Sequence, residues 1–363
     1  MFSGERLRQA RELLGLTQTD LARLIGKSQA AIANIEADLL TPSAEASESI
    51  ARGIRFPLSF FTEPPRFQFP TETLMFRARA SATRRETAAA GRQAELSLEL
   101  LEFLEASVTA IPIGLQRLTQ TPEVAAQHLR QMFRSSADEP ISNLADSVER
   151  IGVTVLALPV DLAKIDAFSV WMTTTQKRPI IATCRNKPGD RLRFNVAHEL
   201  GHLVLHGDLK RLRPNEHRQA DRFAAELLMP TAAMRREIVP PVTLSRLAPL
   251  KLRWGVALQA LIRRAYDLGI IADRQYRYLF EQLSAKGWRT VEPGNLAIAP
   301  ERPRALRKMA ELIYGDPIDY VRFASDARLP ISYLRDLIAG YAEGPPASVG
   351  REASSKVIPL RSG

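Results

Sequence analysis

Apolar residues recur at helical spacing near the start of the chain: Leu7, Ala10, Leu13 and Leu14 share one face, and Gly15 follows as a stop. Thr17 offers an N-cap hydroxyl to a second helix, Gln18 to Ile25, with Leu21, Ala22 and Leu24 apolar and Gly26 breaking it. Ser28 caps a third helix, Gln29 to Ala37. Two short helices about a glycine-containing turn outline a helix-turn-helix. In the third helix Ala31, Ile32 and Ile35 are available for packing, which leaves Gln29, Ala30, Ala33 and Asn34 toward solvent. Helical spacing returns from Glu86 to Ala110, with the apolar stripe of LSLELLEFLEA, then at Pro122 to Phe133 and Ile141 to Ile151. There the period changes. GVTVLALPV, AFSVWM and RPIIATC are short β-branched or aromatic runs that suit a sheet of three strands. Helices resume with NVAHELGHLVLHG and EHRQADRFAAELLMP, continue over Val242 to Leu268, and end with Arg304 to Tyr314 and Pro317 through about Ala342. The pattern predicts a fold that is mainly α with a small β-sheet.

Breaks in the pattern divide the chain. TEPPRFQFP, Thr62 to Pro70, has three prolines that forbid a continuous helix. The expected organisation is a first helical domain at 1–62, a basic linker at 63–85, a helical connector at 86–150, an α+β domain at 151–290, a small helical region at 291–343 and a disordered tail at 344–363. The linker carries Arg77, Arg79, Arg84 and Arg85. No internal repeat, glycine-rich phosphate loop or paired-cysteine site is evident.

Charge adds a direction. A formal net charge of +10 and an isoelectric point near 10.0 predict attraction to a polyanion, nucleic acid or anionic membrane alike. The chain lacks an apolar run of membrane-spanning length and a signal-peptide pattern, so a cytoplasmic protein with no membrane partner is expected. A single cysteine, Cys184, excludes an internal disulfide framework and reads as a small core residue at a strand end.

The outward residues of the third helix have groove-sized chemistry. Gln29 and Asn34 carry amides able to pair bidentately with adenine, and Ala30 allows close approach to a thymine methyl, although the same amides suit a solvated helix surface. The full stretch GERLRQARELLGLTQTDLARLIGKSQAAIANIEAD, Gly4 to Asp38, resembles the phage-repressor-like (XRE) helix-turn-helix family, including its TQxxLA opening and SQxxIxxIE recognition helix. That resemblance implies a five-helix domain that binds a double-stranded DNA operator, with Ser43 to Arg52 and Pro57 to Phe61 as the last two helices. It implies phosphate contact by Gln18, base contact by Gln29, Ala30 and Asn34, and a homodimer on paired half-sites. Lys27 and Ser28 complete the expected DNA-binding set. The recognition helix has few charged groups, so phosphate affinity must come from Lys27, Arg23, Arg8 and residues beyond it.

The histidine-bearing helix poses a second chemistry. His198 and His202 stand one turn apart on one face, where both imidazoles can reach one ion, and Glu199 can approach a metal-bound water without ligating. This HExxH arrangement pairs a metal that acidifies water with a base that takes the proton. The apolar Val196, Ala197, Leu200, Leu203 and Val204 argue for a buried helix, in which unpartnered imidazoles would be costly. A third ligand is expected on the next helix. Ala220 and Ala224 mark its packing face, which puts His217 one turn earlier on that face, with Glu216 about 100° away as the alternative ligand. RFNVAHELGHLVLHG followed by QADRFAAELLMP, within about Ile151 to Leu268, resembles the ImmA/IrrE metallopeptidase family. The resemblance implies a zincin-like α+β domain holding Zn2+ on His198 and His202 with a third ligand from the second helix, and Glu199 as general base. The family commonly has glutamate where His217 stands, so His217 and Glu216 both remain open. Asp221 is expected behind the ligands, orienting His198 or His202, and His206 is expected as a packed or supporting histidine that Asp208 can partner.

Together these expectations describe a transcription regulator joined to a zinc-dependent peptidase that cuts a partner repressor or its own linker around Glu63 to Pro70. The alternative is a non-catalytic DNA-binding sensor whose metal fold binds a ligand or protein, as an antitoxin-like regulator does.

Overall fold

Side-chain caps start the amino-terminal helices where the sequence places them. A computed structural model describes residues 1–67, 83–109, 111–158, 167–173, 177–184, 187–207 and 213–342. Arg77, Arg79, Asp208 and the tail 344–363 lie outside the described residues. Helix α1 (Gly4–Leu13) opens on Ser3, α2 (Gln18–Leu24) on Thr17 in a capping box with Asp20, α3 (Gln29–Glu36) on Ser28 and α4 (Ala44–Ile54) on Ser43. Each such cap is worth about 1 kcal/mol. Leu7, Leu21, Ile32, Ile50 and Phe61 meet at the centre, all fully buried. The expected fifth helix is instead a single stretch of 3-10 helix, Leu58–Thr62. Pro64 and Pro65 follow it and supply no N–H groups with which an α-helix could continue.

Helix α5 (Arg84–Glu105) starts earlier than its apolar stripe suggests, because Thr83 and Glu86 form a capping box in front of it. Its leucines, Leu96, Leu98, Leu100, Leu101 and Leu104, are buried within the chain. Toward α1, Arg92 bridges Glu5 at 2.8 Å and Glu12 at 2.7 Å, and Gln9 donates to Glu95 at 3.0 Å.

Helices α6 (Pro122–Met132) and α7 (Leu144–Arg150) lead into the sheet. Strands β1 (Thr154–Leu158), β2 (Ala167–Thr173) and β3 (Lys177–Cys184) lie in the order β1-β3-β2. The central strand β3 pairs parallel with β1 and antiparallel with β2, so Val155 and Ser169 both stand opposite Ile181. Strand alternation then splits the side chains between two cores. Val155 and Ile181 join one core, and Leu156, Ile180, Ala182 and Cys184 join the other.

The first of these faces carries α8 (Gly189–Leu205), packed on α9 (Pro214–Leu228). Gly201 makes that approach possible: a Cβ there would stand 3.0 Å from the Phe223 ring and 3.2 Å from Ala220 Cα. Helices α10 (Thr231–Glu237), α11 (Leu244–Trp254), α12 (Leu258–Asp267) and α13 (Asp273–Ala285) complete this core. The opposite face shares its core with the amino-terminal helices, α5 and three carboxy-terminal helices, α14 (Ala305–Tyr314), α15 (Tyr320–Ala327) and α16 (Ile331–Ile338). The sequence predicts one helix from Pro317 to Ala342, but the chain divides it. Arg328 adopts the left-handed conformation at φ 55° and Pro330 follows, so α15 cannot run into α16.

Candidate metal centre

One turn of α8 brings His198 Nε2 to 3.0 Å from His202 Nε2. The close packing at Gly201 lets α9 deliver His217, whose Nδ1 lies 3.2 Å from His202 Nε2 and 3.5 Å from His198 Nε2. Ligands about 2.0–2.1 Å from a tetrahedral zinc stand about 3.3 Å apart, so the three nitrogens have the spacing of one face of that tetrahedron. Glu216 does not join them: its carboxylate accepts the Arg213 backbone N–H and caps the start of α9.

Hydrogen bonds behind the rings determine which nitrogens carry protons. Asp221 Oδ1 lies 2.8 Å from His198 Nδ1 and accepts its proton, which leaves His198 Nε2 as a bare lone pair. Gln219 Oε1 lies 2.8 Å from His206 Nε2. That contact puts the His206 proton on Nε2, so its Nδ1 accepts from His202 Nδ1 at 3.0 Å. His202 Nε2 is thereby also left bare. Bare nitrogens this close repel one another, and a cation at their centre removes the repulsion. The donor set therefore fits a divalent metal, and His198, His202 and His217 are the residues that could hold it.

His202 and Glu199 are almost inaccessible, at 2% and 5% exposure. Ser169, on β2, donates its hydroxyl to Glu199 Oε2 at 2.6 Å and fixes that carboxylate. Among the described residues, Ser169 and Gln219 belong to the site and are missed by sequence reasoning. A large cleft of about 1370 Å3, bounded by Phe194, Asn195, Tyr276 and Trp288, reaches the centre only at Asp221. The three imidazoles and Glu199 do not line it, so it is separate from the histidine cluster.

The expected DNA-reading residues sit on one surface. Lys27, Ser28, Gln29, Ala30 and Asn34 are exposed. Gln29 Nε2 donates to Gln18 Oε1 at 2.7 Å, and Gln18 Nε2 donates to Glu36 Oε2 at 2.9 Å, so both amides are pre-set across the turn. Glu36 is buried and paired with Arg11 through bonds of 2.5 and 3.0 Å, which locks α3 onto α1. Arg23 is open to solvent, with a side chain 78% exposed. Arg8, grouped with it as a phosphate contact, leans onto the protein, 3.2 Å from Glu5 and donating to the Glu36 carbonyl.

Comparison with known families agrees with both halves. Residues 7–61 match the helix-turn-helix family, and residues 148–266 match the IrrE N-terminal-like domain of the M78 peptidases. No curated protein matches the chain. The chain thus joins an XRE-type helix-turn-helix DNA-binding domain to an M78 peptidase-family domain. Among the described residues, no helix is long and apolar enough to cross a membrane.

Proposed function

We propose that the protein is a cytoplasmic transcription regulator whose peptidase-family domain is a zinc-dependent endopeptidase acting on a partner repressor or on its own chain. The observation that carries this reading is the convergence of three imidazole nitrogens, with Glu199, the residue after His198, buried and held by Ser169. A structural metal site has no use for a buried base there. A zinc ion bound there would supply Lewis-acid polarisation of the scissile carbonyl and acidify the attacking water. Glu199 accepts the proton of that water and passes it to the leaving amine. Ser169 donates to Oε2 and so helps to fix the orientation of this carboxylate. Asp221 and the pair of His206 and Gln219 hold the rings of His198 and His202 with their free nitrogens inward.

Gln29, Ala30 and Asn34 read bases in the operator, while Gln18, Lys27 and Ser28 anchor the backbone of a duplex bound by two copies. Substitution Glu199→Gln removes the base and no ligand. The variant should retain zinc and lose cleavage of the substrate by at least about 100-fold, within the usual contribution of a general base. Intact-mass analysis of protein incubated with zinc reads both. Equal cutting by variant and parent contradicts the assigned mechanism. A parent that holds zinc and cuts nothing supports the other reading, a DNA-binding sensor; three neutral imidazoles, which leave the ion its full charge, favour tight ligand capture.

A further inference from the structure

The carboxy-terminal helices repeat the amino-terminal helix-turn-helix at constant offset. Thr17, the cap of α2, corresponds to Asp319, which caps α15 by accepting from Val321 and Arg322 N–H. Gly26, at φ 66°, corresponds to Arg328, at φ 55°. Turn hydrogen bonds coincide: Lys27 N–H to Ala22 O at 2.9 Å matches Leu329 N–H to Ala324 O at 3.2 Å. Gly26 N–H to Arg23 O matches Arg328 N–H to Ser325 O, both 3.4 Å. Buried positions coincide as well: Leu21, Ile32 and Ile35 with Phe323, Leu334 and Leu337. Gln29, Ala30 and Asn34 correspond to Ile331, Ser332 and Asp336, all exposed, and Ala33 corresponds to the exposed Arg335. Only caps and apolar spacing are shared, which is why the sequence shows no repeat.

Outline alone does not make a reading head, and the chain contains the control. Helices α11 and α12 also turn through a left-handed glycine, Gly255 at φ 64°. Their counterparts of Gln29 and Ala33 are Leu258 and Ile262, both fully buried, and Arg263, the counterpart of Asn34, is tied to Asp267 at 2.9 Å, so two of the four outward positions are lost to the core. Helix α16 keeps its outward face. Both exposed units flank α5, where Arg92 grips α1 and the neighbouring Gln93 donates to Tyr333 of α16 at 2.6 Å. Between them runs an open groove of about 860 Å3, bordered by Arg52, Arg55 and Leu58 on one side and Ser325, Ile331 and Ser332 on the other. The Arg55 side chain has no hydrogen-bond or ion-pair partner among the described residues, and Arg52 and Arg55 outnumber the one lining carboxylate, Glu48, so the groove has a net cationic rim suited to a phosphate backbone.

We propose that α15 and α16 form a second helix-turn-helix that contacts duplex DNA beside the first, through Ser332 and Arg335. The inference rests on the DNA-binding reading of the first unit and is independent of peptidase activity. The test uses the full chain and duplex fragments recovered by its own selection from genomic DNA. Substitutions Ser332→Asp and Arg335→Glu place negative charge on exposed positions, and circular dichroism with zinc content verifies the fold. The footprint should shorten on one flank, affinity should fall about tenfold and the logarithmic salt slope should drop by about one. Arg335→Lys should restore most of the affinity. An unchanged footprint in the charge-reversed variant overturns this proposal alone, and a parent that protects no DNA overturns both readings. Loss of affinity accompanied by dissociation of a dimer in light scattering assigns the helix to a protein interface and also overturns it.

Discussion

The residues of the candidate metal centre differ in how openly the sequence displays them. His198, Glu199 and His202 are legible from spacing alone, since one turn of helix fixes their relation before any tertiary contact forms. His217 was legible only through the phase of its helix, read from Ala220 and Ala224. Ser169 reaches Glu199 from 30 residues away on a strand whose register depends on β3. No local pattern announces such a partner. Gln219 was hidden for another reason: it touches His206 and not the ligand set. Its amide oxygen nevertheless determines the His202 tautomer through His206. Replacing Gln219 with Leu should weaken zinc retention about 10- to 100-fold, as loss of an outer hydrogen-bond partner typically does. A zinc competition titration measures this, and wild-type affinity in the variant contradicts the tautomer chain.

At the scale of elements, caps and stops were the reliable signals. Ser3, Thr17, Ser28 and Ser43 each begin a helix because a side-chain oxygen satisfies an amide that the helix leaves unpaired. The division of α15 from α16 escaped because Leu329 and Leu334 continue the apolar rhythm and Arg328 gives no glycine signal for its left-handed turn. Helix α3 carries its own prediction. Alanine at both Gln29 and Asn34 removes the amides proposed to meet base edges without touching the buried Ile32 and Ile35, so stability should fall by no more than about 1 kcal/mol for the exposed bond from Gln29 to Gln18. Affinity for one selected operator should fall by about 1–3 kcal/mol per lost amide pair, and binding to random duplex should fall far less. Equal losses on both, in parallel titrations at one salt concentration, would show that the helix reads no bases.

For the whole molecule, the sheet is the divider: one face supports the metal-bearing helices, and the other shares a core with the DNA-binding unit and the carboxy-terminal helices. Contact across that divide includes Glu149 of α7, whose carboxylate accepts the backbone N–H groups of Arg304 at 2.8 Å and Ala305 at 3.2 Å ahead of α14. Burial pushes this carboxyl up from the ordinary 4.5 to about 7, against the pull of those two N–H groups. Because the folded value lies above the unfolded one, its contribution to docking is complete below 4.5 and is lost as pH rises through about 7. Hydrogen exchange in the first turn of α14 should therefore quicken as pH passes through that range, beyond the intrinsic rate, and Glu149→Gln should abolish the excess. The account as a whole depends on the histidine cluster. X-ray absorption of the zinc-loaded protein should show four nitrogen or oxygen donors at about 2.0–2.1 Å with the outer-shell scattering of three imidazoles, falling to two in His217→Ala. No stoichiometric zinc, or a spectrum unaltered by that substitution, would contradict it.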